Sequence, residues 1–119
     1  MYDHIGFKVR DLDVAVRFYE SALGALGLEL GSRYDGGAGF GPKGKSAFWL
    51  NVDKAKGQGA HVAFTATSRK AVDAFHAAGL KAGGKDNGAP GVRVDYSPTY
   101  YAAFLIDPDG NNVEAVFHG

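Results

Sequence analysis

The chain has 119 residues, of which 45% are hydrophobic and 13% aromatic, enough for the buried core of one ordinary domain. Thirteen basic residues balance 13 acidic ones, which argues against nucleic acid as the main partner because phosphate backbones need a basic surface. The absence of cysteine excludes disulfide scaffolds, zinc–thiolate sites and cysteine nucleophiles.

The first residues enter a strand-like pattern at once, without the basic segment and apolar run of a signal peptide. No apolar stretch approaches the roughly 20 residues needed to span a bilayer. These features predict a soluble, cytoplasmic protein that does not bind membranes.

Two segments, residues 4–9 and 61–66, begin with histidine and alternate apolar and other residues with a period of two. This period is typical of a strand with one buried face. In the first segment Ile5 and Phe7 share a face opposite His4, and in the second Val62 lies opposite His61. The 57-residue offset between the two histidines indicates an internal repeat.

A helix signal follows each strand. Asp11 suits the N-cap of the first helix, and either Thr67 or Ser68 suits that of the second. Apolar stripes at helical spacing consist of Val14, Ala15, Phe18, Tyr19, Ala22 and Leu23 in the first helix and Val72, Phe75 and Ala78 in the second. Gly79 is expected just past the end of the second helix.

Short strand candidates follow each helix. They cover residues 26–30, 33–40 and 46–52 in the first half, and 80–84, either 91–96 or 100–106, and 112–117 in the second. Residues 107–110 and 41–44 have strong turn chemistry. Residues 85–91 are expected to be a plain connection, with a lid as the alternative. The chain is therefore predicted to be one α+β domain of two βαβββ modules, at about 1–56 and 57–119.

The sequence resembles the glyoxalase/bleomycin-resistance/dioxygenase superfamily, also called vicinal oxygen chelate proteins. The resemblance rests on residues 4–12, Phe18 and Tyr19, residues 23–27, residues 61–64 and the run from Tyr101 to Glu114 with its Asp-Pro-Asp-Gly turn. It implies a curved, open sheet that forms a cup with a divalent metal inside.

Carried over by position, the resemblance implies that His4, His61 and Glu114 are metal ligands. Aligning the two turns places Phe48 opposite Glu114, with Trp49 beside it, and neither can ligate a metal. The four-ligand pattern of typical glyoxalases is therefore broken, whereas a pattern of two histidines and one glutamate remains.

The residue types suit this role. Two imidazoles and a carboxylate leave coordination positions open and suit Zn, Fe, Mn, Ni or Co without selecting one of them. Strand parity turns His4 and His61 away from the apolar faces, toward the cup. The alternative is that each of these side chains is an ordinary polar residue on an exposed strand face.

Four further residues are weaker candidates for substrate binding: Trp49, Arg93, Tyr100 and Tyr101. Each has a structural alternative as a core, surface or interface residue. The catalytic residues are not identified, and His76 is expected to be solvated on its helix.

The leading functional prediction is a small metal-dependent enzyme whose substrate chelates the ion through adjacent oxygens. The reaction could be that of a lyase or isomerase, a dioxygenase or a thiol transferase. The alternative is a metal-free module that sequesters a small aromatic or drug-like ligand, as in bleomycin resistance. A homodimer is expected in either case, since relatives of this length often pair.

Overall fold

The computed structural model describes residues 3–53 and 60–119. The helices and strands are, in chain order, β1 (Ile5–Val9), α1 (Leu12–Gly24), β2 (Glu29–Tyr34), β3 (Gly37–Gly41), β4 (Phe48–Val52), β5 (His61–Thr65), α2 (Arg69–Lys81), β6 (Lys85–Val92), β7 (Tyr100–Ile106) and β8 (Asn112–His118).

The strands form two sheets of the same topology, with orders β1-β4-β3-β2 and β5-β8-β7-β6. In each sheet the first and last strands of the module pair in parallel, as β1 with β4 and β5 with β8, and the other pairs are antiparallel. The predicted α+β fold of two βαβββ modules is thereby confirmed. The predicted module boundary, between residues 56 and 57, lies outside the described residues.

Both helices begin at the predicted caps. The Asp11 carboxylate accepts a hydrogen bond from the Val14 amide at 3.1 Å. At the second helix Ser68, rather than Thr67, accepts from the Ala71 amide at 3.0 Å. Each bond satisfies an amide that has no partner inside the helix.

The end of α2 was predicted wrongly. Gly79 lies inside the helix, which continues to Lys81. A Cβ on Gly79 would lie 2.2 Å from Leu105 Cδ1, so this glycine allows the helix to approach the second sheet. The turn after the helix uses Gly83, whose φ of 101° favours glycine.

The strand faces follow the predicted parity, since Phe7, Val62 and Phe64 are buried while His4 and His61 are exposed. The helices pack against each other.

An aromatic cluster joins the two modules through Phe48. Its ring centroid lies 5.2 Å from that of Phe64, 5.1 Å from that of Phe7 and 4.9 Å from that of Tyr19. The buried core is therefore continuous between the two modules.

The first-half strands shift from their predicted positions. The predicted strand 26–30 becomes β2, which begins at Glu29. The predicted strand 33–40 is split by a turn at Gly36, whose φ is 89°. A single periodic run therefore contains a hairpin.

The second half contains a larger correction. Residues 80–84 are helix end and turn, and residues 85–91 belong to β6 instead of a loop or lid. Two register shifts, one on each side of Gly88, accommodate the turn-like composition of this strand. Because β6 is an edge strand, Pro90 is tolerated without an amide donor.

His76 was also predicted wrongly. Its side chain is 12% exposed instead of solvated, and Nε2 donates to Asp86 Oδ1 at 2.8 Å. The backbone amide of Gly88, followed by His76, lowers the pKa of Asp86 below its usual value. This pair fastens β6 to α2.

None of the helices in the described part of the chain is long and apolar enough to cross a membrane.

Candidate functional site

The structure brings His61 and Glu114 together on neighbouring parallel strands. Ala63 on β5 pairs with Glu114 on β8, and His61 pairs with Asn112 two residues earlier. His61 Nε2 lies 3.3 Å from Glu114 Oε1, and the Glu114 side chain is 4% exposed. A carboxylate this buried needs hydrogen bonds or a cation to offset its desolvation.

The other imidazole nitrogen fixes the roles of these atoms. His61 Nδ1 lies 3.2 Å from the carbonyl oxygen of Asn112, which can only accept, so Nδ1 carries the proton. In the neutral ring Nε2 is then an acceptor. With that tautomer it faces a second acceptor, Glu114 Oε1, and a proton or a metal ion between the two atoms would satisfy both.

The spacing of the two acceptors fits a metal ion. Zinc binds imidazole nitrogen and carboxylate oxygen at about 2.0–2.2 Å, so two such donors on a tetrahedral ion lie about 3.3 Å apart. The observed 3.3 Å separation matches this value. A carbonyl on the far nitrogen is also the partner that metal-bound histidines usually have.

Tyr100 completes the contacts of the Glu114 carboxylate. Its hydroxyl donates a hydrogen bond to Glu114 Oε2. Burial, followed by the hydrogen bond and charge of Glu114, raises the pKa of Tyr100 to about 12. The phenol therefore stays protonated as a donor at neutral pH.

A cavity of about 620 Å³ opens beside this pair. Its lining residues are His61, Asp95, Tyr96, Tyr100, Phe104, Asn112 and Glu114. The His61 ring stacks on that of Phe104 with centroids 6.5 Å apart. This lining combines three aromatic rings with two carboxylates and, among the residues that the structure describes, contains no lysine or arginine.

His4, the third predicted ligand, is not brought to this pair. It precedes β1, is exposed, and its Nδ1 lies 2.8 Å from the Asp3 carboxylate. Within the described residues, 3–53 and 60–119, no group of three histidine, aspartate or glutamate side chains is placed so that it could hold a metal ion. One chain therefore supplies two of the three predicted donors at one point.

The first sheet carries Trp49 at the position that Glu114 occupies in the second. Gly6 pairs with Trp49, just as Ala63 pairs with Glu114. The alignment with Phe48 was wrong by one residue, because the turn before β4 is formed by residues 42–45 instead of 41–44. The Lys45 amide donates to the Pro42 carbonyl there, as the Gly110 amide donates to that of Asp107 before β8. Phe48 is instead 2% exposed in the core.

The other three weaker candidates have diverse surroundings. Trp49 lies over Gly39, where a Cβ would come 2.4 Å from the indole. The Arg93 guanidinium donates to the carbonyls of Gly91 and Ala89 and lies over the Phe104 ring. Tyr101 faces α2 and donates to Asp73, so it stands away from the cavity.

Sequence reasoning missed three lining residues: Asp95, Phe104 and Asn112. Asn112 and Phe104 could have been found from strand parity. Asn112 precedes Glu114 by two residues, and Phe104 is the cross-strand partner of Glu114. Asp95 and Tyr96 lie between β6 and β7, where no periodicity predicts orientation.

Comparisons with known proteins agree with this architecture. The sequence model of the Glyoxalase/Bleomycin resistance protein/Dioxygenase superfamily matches residues 2–115. The chain therefore belongs to that superfamily, which includes glyoxalase-like enzymes. No curated protein sequence gave a match.

Solved structures of the same superfamily share the fold. A glyoxalase/bleomycin resistance protein from Albidiferax ferrireducens T118 is 30% identical with a TM-score of 0.86, and the match covers 99% of this chain and 98% of that one. A family enzyme from Burkholderia phytofirmans PsJN is 20% identical with a TM-score of 0.76, over 98% of both chains. A glyoxalase I mutant from Zea mays is 25% identical with a TM-score of 0.70, over 97% of this chain and 46% of that one.

Proposed function

We propose that the protein is a metal-dependent enzyme acting on a small molecule that chelates the ion through two adjacent oxygens. The observation that carries this proposal is the facing pair of acceptors, His61 Nε2 and Glu114 Oε1, 3.3 Å apart beside an open cavity. A divalent ion satisfies both atoms at once, and the donor set suits Zn, Fe, Mn, Ni or Co.

The residues of the chain would have distinct roles. His61 and Glu114 hold the ion, and Asn112 keeps the His61 proton on Nδ1. The ring of Phe104 supports the imidazole. The ion itself would supply Lewis acidity toward a bound carbonyl or hydroxyl oxygen. Lyase or isomerase, dioxygenase and thiol-transferase chemistry all begin from such a chelate.

The third ligand, in this proposal, is His4 from a second copy of the chain. His4 lies immediately before β1, and β1 and β5 are edge strands of their sheets. A two-fold dimer that joins β1 of one copy to β5 of the other would bring His4 near the partner's pair of donors, twice per dimer.

Metal binding is tested by elemental analysis and by thermal unfolding with added Zn²⁺, Ni²⁺ or Fe²⁺. A tight site raises the stability by mass action. His61→Ala is expected to remove both the bound metal and the stabilisation. His76→Ala, a matched histidine outside the cavity, should keep them. Stoichiometric metal in His61→Ala would refute the ligand assignment.

The shared site is tested by mixing two inactive variants. Before mixing, the His4→Ala variant and the His61→Ala variant should each bind no metal. After subunit exchange, half of the dimers are mixed and carry one intact site of two, so about a quarter of the wild-type metal should return. No recovery, despite confirmed exchange, would place all ligands within one chain or leave His4 out.

A second candidate function is metal-free binding of an aromatic ligand, in which a proton lies between His61 and Glu114. The three aromatic rings of the cavity favour it. Its two carboxylates, with no lysine or arginine among the described lining residues, favour a neutral or cationic ligand. Unchanged stability with every metal tested, together with saturable binding of an aromatic amine, would support this function over the first.

A further inference from the structure

We propose that Tyr100 is a positioning residue that makes Glu114 present one oxygen, Oε1, to the metal. This inference rests on the proposed metal-dependent function and adds a residue to it. It is carried by the division of the carboxylate between two partners. Oε2 accepts from the Tyr100 hydroxyl, while Oε1 faces His61 Nε2.

The Tyr100 ring is held from two sides. Its centroid lies 4.9 Å from that of Tyr96 and 5.0 Å from that of His118, and both contacts are edge-on. Edge-to-face contacts of this kind favour one orientation of each ring. The hydroxyl is therefore directed at Glu114 before any ligand arrives.

The neighbouring positions on β7 allow this reach. Tyr100, Ala102 and Phe104 alternate onto one face, opposite His118, Val116 and Glu114 on β8. Ala102 is fully buried, and its small side chain leaves room between the two larger residues. Phe104 supports the His61 ring, so one strand orients both donors.

The consequence concerns the mode of coordination. A carboxylate can bind a metal through one or both oxygens. Binding through both would weaken or break the Tyr100 hydrogen bond to a carboxylate that is itself buried, which costs free energy. With Tyr100 in place, Glu114 takes one coordination position and leaves the next one open for substrate.

The test compares Co²⁺ binding by calorimetry and by visible absorption, which depends on coordination number. Tyr100→Phe removes only the hydroxyl, and it should weaken Co²⁺ binding by about 10- to 100-fold, as loss of a partner behind a metal ligand typically does. The visible absorption of Co²⁺ bound to this variant should change toward that of an ion with a higher coordination number. Tyr34→Phe, which loses a hydroxyl bonded to Asn51, should match the wild type.

The outcomes separate this inference from the function on which it rests. A wild type that binds no Co²⁺ overturns both. A Tyr100→Phe variant with the affinity and spectrum of the wild type overturns the positioning role alone. If the variant does not fold, a crystal structure of the metal-loaded wild type decides. Glu114 bound through one oxygen supports the inference, and Glu114 bound through both, with Tyr100 displaced, overturns it.

Discussion

The hydroxyl of Tyr19 on α1 donates to the buried carboxylate of Asp107 at 2.6 Å, across 88 residues of sequence. Asp107 opens the turn before β8, the strand that carries Glu114. It also accepts hydrogen bonds from the amides of Asp109 and Asn111 and from the Asn111 side chain. The helix of the first module therefore supports the strand that carries the site in the second.

Removal of the Tyr19 hydroxyl should weaken this link without breaking the turn. Tyr19→Phe is expected to lower the free energy of unfolding by about 1–3 kcal/mol, because one donor to a buried carboxylate is lost. Asp107→Ala should cost more, since it leaves several donors without an acceptor. Urea unfolding measures both, and a smaller loss for Asp107→Ala than for Tyr19→Phe would contradict this account.

The same pair makes the protein sensitive to alkali. Burial, followed by the charge and hydrogen bond of Asp107, raises the pKa of Tyr19 well above 10. The folded state favours the neutral phenol, so this stabilisation is complete below about pH 10 and is lost as pH rises toward the folded pKa. In urea titrations above pH 10, Tyr19→Phe should lose stability less steeply than the wild type. Equal slopes would show that Tyr19 does not contribute.

Two helical glycines should respond to alanine in opposite directions. Gly79→Ala introduces a Cβ 2.2 Å from Leu105 Cδ1 and should destabilise the fold by about 1–3 kcal/mol through overpacking. Gly24→Ala has nothing within 4 Å and should stabilise it by about 0.4–1 kcal/mol by restricting the unfolded chain. Thermal unfolding measures both, and a stabilised Gly79→Ala would show that α2 can move away from β7.

Trp49 is the single tryptophan, so its fluorescence reports the face of the first sheet. Gly39→Ala places a Cβ 2.4 Å from the indole and should displace it, shifting the emission to longer wavelength as the ring becomes more exposed. Gly37→Ala is the matched control, because its Cβ would meet Tyr34 instead. A shift in the control, or none in Gly39→Ala, would contradict the packing described.

Local patterns in the sequence predicted much of this fold. Alternation on β1 and β5 placed His61 and Phe64 on opposite faces, because the side-chain period of a strand is fixed by its backbone. Asp11 and Ser68 marked helix starts because their side chains bond to nearby amides. The Asp-Pro-Asp-Gly turn was likewise predictable from the turn chemistry of its own residues.

Tertiary structure decided what depends on distant partners. The turn before β4 falls on residues 42–45 instead of 41–44, so Trp49, not Phe48, occupies the position equivalent to Glu114, because register is set by pairing between strands. Two bulges turned the Gly-rich segment at Gly88 into a strand. The hydrogen bond from Tyr100 to Glu114 and the burial of His76 against Asp86 have no local signature. Each arises where packed elements bring polar groups that are distant in sequence within hydrogen-bonding distance.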